Sequence, residues 1–498
     1  MSILLTERAG QHEHRTAIIA SEGTFTYRQL LDVSGRVASF LLNGSSDLQE
    51  RPVAFMAPPG FQYVALQWGI WRAGGIAVPL SLFHPRPELE YVIEDTACAV
   101  VVTHPDFVDR LRPIAVDRGL RFSQSTEALN HPLDKLPAVA ASRRAMILYT
   151  SGTTGKPKGV VTTHENIAAQ ITSLVQAWEW KPDDRILEIL PLHHIHGIVN
   201  VISCALWAGA VCEIFPEFDA KKVWDRIAQA GLTLFMAVPT VYVKLIDAWE
   251  KASPGDKKQM TEGCRKMRLM VSGSAALPVP TLERWKEVSG HVLLERYGMT
   301  EIGMALSNPL HGKRFPGCVG TPLPGMEARL VDEAGTPVPP GTPGEIEVRG
   351  KPVFPEYWHR PEDTRKAFRN GWFMTGDIAV DENKVYRILG RSSVDIIKTG
   401  GYKVSALEIE ETLLTHPDIK ECAVVGVADP VWGERVCAAL VLNAGRTLNI
   451  ETLRAWGKER LASYKVPKDL VVLEKLPRNA MGKLFKPDLK KIFQGSEG

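Results

Sequence analysis

Short apolar runs alternate with helical stripes along this chain, and that alternation limits the fold more than any other feature. Val53–Met56 and Ala99–Thr103 read as strands, with a helical stretch near Tyr63–Arg72 between them. Gly74, Gly75 and Pro79 punctuate the exit of that helix. Upstream, Phe25-Thr-Tyr-Arg-Gln29 reads as a helix start: Thr26 with Gln29 fits a capping box, and Phe25 can staple onto Leu30. Leu30, Val33, Val37 and Leu41 then form one apolar stripe. A second helix near Glu165–Trp178 carries Ile167, Ile171, Leu174 and Trp178 on one face. Strand, helix and strand in this order predict βαβ units, hence an α/β fold of mostly parallel, helix-covered sheets.

The texture changes from about Arg329. Glu345-Ile-Glu-Val-Arg349 alternates like a strand, and Pro339-Pro-Gly-Thr-Pro-Gly344 is a turn-rich loop. A smaller β-rich subdomain, 329–392, is expected to close a large N-terminal domain of residues 1–392. A break falls near Gly390-Arg391-Ser-Ser393. Beyond it Ala406–Leu414 reads as helix, and Glu421–Val427 and Val436–Leu442 as strands. The remaining stretch, 395–498, is long enough for an independent α+β domain.

At 498 residues the chain can bury a large core. Its net charge of +2 is too small to imply nucleic acid or an anionic membrane as partner, and no run is long and apolar enough to span a bilayer. Met1-Ser-Ile-Leu-Leu-Thr-Glu-Arg8 lacks the basic lead of a targeting segment, and the seven cysteines are scattered without metal spacing. Reduced core cysteines and a cytoplasmic location are therefore expected, an organellar form with a trimmed transit peptide being the other case.

Tyr149-Thr-Ser-Gly-Thr-Thr-Gly-Lys-Pro-Lys-Gly159 is the stretch richest in chemistry. An apolar strand, Ala145–Tyr149, runs into three hydroxyl residues, two close glycines and two lysines. Glycine lets backbone N–H groups converge, hydroxyls add donors and lysine adds charge, a combination suited to a polyphosphate. Pro157 stands where a Walker loop needs Ser or Thr, so the loop is not of that type. A polar turn between two strands would have the same composition.

Four further sites join it. Arg296-Tyr-Gly-Met-Thr-Glu301 places Tyr297 to stack on a base, the Thr300 hydroxyl near a phosphate, and the hard oxygens of Glu301 near Mg²⁺. Trp372-Phe-Met-Thr-Gly-Asp377 puts a carboxylate after a glycine, where it could accept from ribose hydroxyls. Arg391 precedes the domain break, and Lys483 sits on the glycine-containing loop Pro477–Lys483. Taken singly, each also reads as an ordinary turn or surface charge.

In this order and spacing, from Gly74-Gly75…Pro79 to Lys483, the motifs resemble the adenylate-forming superfamily of acyl-CoA synthetases, adenylation domains and luciferases. The resemblance implies ATP, Mg²⁺ and CoA as ligands, a mobile C-terminal domain, and two half-reactions: carboxylate plus ATP gives acyl-AMP and pyrophosphate, then a thiol displaces AMP. It assigns the β- and γ-phosphates to Thr150, Ser151, Gly152, Thr153, Thr154, Gly155, Lys156, Pro157, Lys158 and Gly159. It assigns the adenine to Gly273-Ser274-Ala275-Ala276 and to Glu295, Arg296 and Tyr297 with Gly298 and Met299 following. Thr300 would contact the α-phosphate, Glu301 would hold Mg²⁺, Asp377 and Arg391 would grip the ribose, and Lys483 would be the catalytic lysine. Gly400-Gly401-Tyr402 would line the CoA channel. The Ser392-Ser-Val394 segment departs from the usual pattern by one extra residue, which places the hinge at Ser393 or Val394.

Arg296 is the unusual residue, since most acyl-CoA synthetases have an uncharged one before this tyrosine. A buried cation is costly, by several kcal/mol, unless something pairs with it, and a dicarboxylate can do so bidentately. The segments Glu295–Met304, Pro191-Leu-His-His-Ile-His-Gly197 and Val394–Tyr402 resemble malonyl-CoA synthetases, nearest to the mitochondrial type of animals. That likeness adds His194, Lys244 and Met304 as acyl-pocket candidates. An ion pair with Glu295 is the plain structural alternative for Arg296. A monocarboxylate–CoA ligase, an enzyme loading a carrier-protein thiol, a luciferase-like oxidase and a non-catalytic nucleotide binder share the nucleotide motifs.

Overall fold

The computed structural model describes residues 3–150, 156–392, 394–400, 402–478 and 484–495. Two large sheets form the body of the chain. One has nine strands, its centre built from Leu294–Met299, Leu269–Ser272, Leu234–Ala237, Arg185–Glu188, Val211–Ile214 and Thr16–Ala20, all paired in parallel. The other has seven strands and a parallel core through Arg144–Thr150, Ile76–Pro79, Pro52–Met56, Val100–Thr103 and Arg121–Gln124. Antiparallel strands close the edges, as Lys158–Thr163 does beside Arg144–Thr150. A third sheet of five strands, all antiparallel, runs from Met326 to Arg391. A fourth follows the break, with strands Ile396–Thr399, Tyr402–Ser405, Ile419–Asp429, Gly433–Leu442 and Asp469–Val472.

Helices pack where the stripes place them. The helix Tyr27–Leu42 begins at a capping box in which Thr26 and Gln29 satisfy each other's backbone amides. Caps of this kind stabilise a helix by about 1 kcal/mol. Leu30, Val37 and Leu41 are buried from it. Phe25 stacks on Phe61, ring centroids 3.8 Å apart, so its partner is the next helix in sequence. A second capping box, Thr163 with Asn166, opens His164–Ala177, whose Ile167, Ile171 and Leu174 enter the same core with Trp178 just beyond its end.

One element departs from regular helix. His196–Ser203 is wound as a π-helix and runs directly into the helix Cys204–Ala208. π-turns are rare and concentrate at functional sites. This one starts within the histidine-rich segment and lies wholly buried.

Candidate active site

The strand Leu294–Met299 carries the centre of the site. An ordinary turn is the plain alternative for Arg296–Glu301, and the structure keeps the chain extended as far as Met299, paired with Leu269–Ser272 on one side and Gly303–Ser307 on the other. Successive side chains on a strand point to opposite faces. Glu295 and Tyr297 therefore share one face, and Arg296 stands on the other.

On Arg296's face the guanidinium lies against Gly273, just past the end of the neighbouring strand. A Cβ at Gly273 would be 2.4 Å from the guanidinium carbon. Arg296 is only 3% exposed, and burial pushes its pKa down to about 9, so it remains a cation at neutral pH. Its Nη2 donates to Ser274 Oγ at 3.3 Å, while Nε and Nη1 are buried with no acceptor among the described residues. The alternative ion pair does not form: Glu295 faces away and its Oε1 accepts the Gly317 amide at 2.9 Å.

Ser274 Oγ also lies 3.3 Å from His196 Nδ1. Arginine can only donate to Ser274, whose hydroxyl keeps its proton and a further lone pair to meet a neutral imidazole in either tautomer. Burial and the nearby Arg296 both push His196 well below the usual imidazole range, in agreement. Its Nε2 is a further buried polar atom without a partner among the described residues. Ser274 is exposed and holds a left-handed backbone, φ 69°, so the point where this cluster meets solvent is itself strained. A buried guanidinium with donors that meet no acceptor among the described residues suits an anion.

The other acyl candidates are distributed unevenly. His194 stands beside His193, ring centroids 4.1 Å apart, and close enough to His196 to lower its pKa. Met304 is a core residue, 1% exposed, whose amide donates to Gln170 Oε1 at 2.6 Å and whose methyl fills the space over Gly298. Lys244 is exposed on the helix Pro239–Lys251, with its ammonium 5.6 Å from the Phe218 ring centroid. Tyr242, the helix neighbour nearest Arg296 electrostatically, is two residues away and so points to the other side of that helix. The structure brings Arg296, Ser274 and His196 together and leaves Lys244 outside that cluster.

Tyr297's face is the second half of the site. The Tyr297 hydroxyl donates to Asp377 Oδ2 at 2.5 Å, and Arg391 Nε donates to Asp377 Oδ1 at 3.0 Å. Asp377 and Arg391 are cross-strand partners in the antiparallel sheet, which fixes their approach. Glu301 is buried and its carboxyl is pushed up by desolvation; one oxygen accepts the Tyr357 hydroxyl at 3.0 Å. Thr300, half-buried, precedes it.

Tyr357 ties this carboxylate to the glycine-rich hairpin. It pairs with Val160 of the hairpin's second strand, and Lys158 Nζ lies 5.2 Å from its ring centroid. Thr150 and Lys158 are register partners at the tip, and Gly159 faces Tyr149. Lys158 pairs with Asp363 at 3.0 Å, Lys156 lies 5.5 Å from the Tyr91 ring centroid, and Pro157 O accepts from the Tyr91 hydroxyl. Ser151, Gly152, Thr153, Thr154 and Gly155 lie outside the described residues, as do Gly401, the hinge candidate Ser393 and Lys483. No group of three or more His, Cys, Asp or Glu among the described residues could hold a metal. Glu301, a buried carboxylate linked through Tyr357 to a basic hairpin, fits a Mg²⁺ ion completed by phosphate oxygens and water.

The Gly400 amide donates to Trp432 O, and Tyr402 is 53% exposed and stacked on Tyr464 at 4.1 Å.

Two family profiles match the chain: AMP-binding enzyme over residues 5–358, and AMP-binding enzyme C-terminal domain over 408–483. Malonate–CoA ligase ACSF3, mitochondrial, of Mus musculus is 48% identical over 514 residues, 96% of this chain and 88% of that protein. Among solved structures, ATP-bound MatB from Rhodopseudomonas palustris aligns with a TM-score of 0.91 at 35% identity over 99% of both chains. The apo form of MatB aligns over the same shares and at the same identity with a TM-score of 0.83. Equal identity makes that gap one of spatial arrangement, and this chain follows the arrangement of the ATP-bound form. No described helix is long and apolar enough to cross a membrane. On the match over residues 5–358 and the likeness that extends along nearly the whole chain, this protein belongs to the AMP-binding enzyme family.

Proposed function

We propose that this protein is an AMP-forming malonate–CoA ligase. One observation carries the choice of acid: Arg296 is a buried cation with two unspent donors and no carboxylate partner among the described residues. A fatty or aromatic acyl chain would leave that charge uncompensated. Malonate or methylmalonate supplies a second carboxylate to pair with it, through a charge-assisted contact worth about 1.5–3 kcal/mol. His196 lies beside it through the shared Ser274 hydroxyl, and the mitochondrial malonate–CoA ligase of mouse is a close relative.

With its distal carboxylate held by Arg296, the substrate presents the other to the α-phosphate of ATP. The attacking oxygen forms a bond to phosphorus, pyrophosphate leaves, and malonyl-AMP results. The CoA thiol then attacks the acyl carbon, AMP departs and malonyl-CoA is released. Thr150 to Gly159 cradle the β- and γ-phosphates and Thr300 the α-phosphate. Ser274, Glu295 and Tyr297, with Gly298 and Met299, border the nucleoside. Asp377 keeps a lone pair on each oxygen beyond those used by Tyr297 and Arg391, and so can accept both ribose hydroxyls. Glu301 would hold Mg²⁺, which neutralises phosphate charge. Lys483 supplies the cation that bridges the entering carboxylate and the phosphate, an aimed charge of the kind that gives the largest catalytic contribution.

Thioester formation is read as needing a second domain arrangement, in which Gly400 and Tyr402 would line the CoA channel. We place the large domain at 1–392, the hinge at 393–394 and the mobile domain at 395–498. The free cysteines fit a reducing compartment, cytoplasm or mitochondrial matrix.

The test is AMP release with ATP and CoA over acetate, butyrate, octanoate, malonate, methylmalonate and succinate, for the wild type and Arg296→Leu. Malonate should dominate, and Arg296→Leu should lower its turnover far more than that of any monocarboxylate. Equal losses on all acids would remove Arg296 from the substrate site.

A further inference from the structure

Outside the substrate site, Lys486 is a buried cation with two carboxylate partners. It is 6% exposed, and its Nζ donates to Asp395 Oδ1 at 2.6 Å and to Glu410 Oε1 at 2.8 Å. Glu410 Oε1 also accepts the Val424 amide at 2.7 Å, which roots the cluster in the C-terminal sheet. Nothing in the two half-reactions as described uses this lysine.

The second oxygen of Asp395 reaches across the break between the domains. Asp395 Oδ2 accepts the Arg391 amide at 3.0 Å, and the Asp395 amide donates back to Arg391 O at 2.8 Å. Arg391 and Asp395 thereby form a reciprocal ring of two hydrogen bonds across the span in which the hinge is placed. A turn of the chain within that span would move the partners of each bond relative to one another. Gly390 leaves room for the ring: a Cβ there would lie 2.4 Å from Asp395 Cβ, and its φ of 123° is one that side chains rarely adopt.

A continuous polar chain results. Tyr297 binds Asp377, Arg391 Nε binds Asp377, the Arg391 amide binds Asp395, and Asp395 binds Lys486. Lys486 is three residues from Lys483, a tether of at most about 11 Å. The chain exists in the arrangement shared with the ATP-bound relative.

We propose that Asp395 and Lys486 are positioning residues for adenylate formation: together they clamp the hinge in this orientation and anchor the segment that carries Lys483. The proposal rests on the two-step reading above. The clamp opens when the small domain turns for thioester formation, so the first half-reaction depends on it and the second does not.

The variants are Lys486→Met, Lys486→Arg and Asp395→Asn, the last keeping an acceptor for the Arg391 amide while losing the charge for Lys486. Adenylation is read as malonate-dependent ATP–pyrophosphate exchange, and thioester formation as CoA transfer from supplied malonyl-AMP. Lys486→Met should lower the kcat of exchange by about tenfold or more, with KM for malonate nearly unchanged and thioester formation largely kept. Lys486→Arg should restore exchange. Trypsin cleavage after Arg391 in the presence of ATP should be faster in Lys486→Met and Asp395→Asn, a readout of the hinge that needs no turnover. Equal loss in both half-reactions, unchanged exchange, or unchanged cleavage overturns the proposal. Should Lys486→Met not fold, Asp395→Asn decides by the same measurements. If the wild type exchanges pyrophosphate with an acid other than malonate, the substrate reading fails while the clamp is still tested with that acid. If it exchanges with none, cleavage after Arg391 alone decides the clamp.

Discussion

The missing Cβ of Gly273 is what lets the Arg296 guanidinium lie flat against the end of the adjacent strand, 2.4 Å from where that carbon would be. Arg296 Nε and Nη1 would be 2.5 Å from the same point. Real contacts of this kind are never so short, and the crowding comes from the charged head of the side chain rather than from its stem. Gly273→Ala should therefore displace the guanidinium without removing it. We expect KM for malonate to rise about tenfold or more, a loss comparable to one charge-assisted hydrogen bond. KM for ATP should stay near its wild-type value. Steady-state kinetics with each substrate varied in turn checks this, and an unchanged KM for malonate would show that the guanidinium does not meet the acid.

Tyr297 and Arg296 are adjacent in sequence and act on opposite faces of one strand. Tyr297→Phe removes the hydroxyl that donates to Asp377 Oδ2 at 2.5 Å and leaves Arg391 as the remaining side-chain donor. Loss of a hydrogen bond to a charged group costs about 1.5–3 kcal/mol. The expected result is a rise of roughly ten- to a hundredfold in KM for ATP, with KM for malonate little changed. A matching rise in both constants would mean that the two faces are coupled through the strand.

Much of this architecture could be read before any coordinates. The Thr26–Gln29 capping box and the stripe Ile167, Ile171, Leu174, Trp178 carry local signals that tertiary contacts did not override. Arg296 also stands out, because it is a cation where acyl-CoA synthetases mostly have an uncharged residue. Its freedom from Glu295 was harder to see. Their adjacency in sequence allows an ion pair, and only the extended course to Met299 separates the two side chains by face. His196 sits within the quoted Pro191–Gly197 segment, yet His194 was the residue nominated there, since nothing local announces the π-helix that buries His196 beside Ser274. Lys244 came from resemblance alone, and its helix turns it outward. The Asp395–Lys486 pair spans ninety-one positions, and no periodicity reports so distant a contact.

Glu301 should govern the demand for Mg²⁺. It is the one carboxylate of the Arg296–Glu301 segment on the hairpin side, and the Tyr357 hydroxyl orients it from 3.0 Å. Glu301→Gln keeps an acceptor of the same shape but loses the charge that a hard cation requires. The Mg²⁺ concentration for half-maximal activity should rise by about tenfold or more in Glu301→Gln and by less in Tyr357→Phe. Titrating Mg²⁺ at saturating ATP and malonate measures both, and an unmoved midpoint in Glu301→Gln would take the metal away from this residue.

Glu188 gives a prediction about stability. It ends the strand Arg185–Glu188, is fully buried, and has Oε2 without a partner among the described residues while the Leu190 amide donates to Oε1. Desolvation outweighs the backbone hydrogen bonds and pushes its carboxyl up to about 8. In the unfolded chain the group titrates near the ordinary value of 4.5. Between these two values the folded state holds a proton that the unfolded state has released. Stability from Glu188 is thus fully present below pH 4.5 and falls as pH rises toward 8, by at most about 1.4 kcal/mol per pH unit. Glu188→Gln keeps the acceptor for the Leu190 amide and cannot ionise. Its melting temperature should fall less steeply from pH 5 to pH 9 than that of the wild type, with the variant the more stable protein at the alkaline end. Melting curves at matched ionic strength across that range test this, and parallel profiles would mean that Glu188 is already ionised in the folded protein.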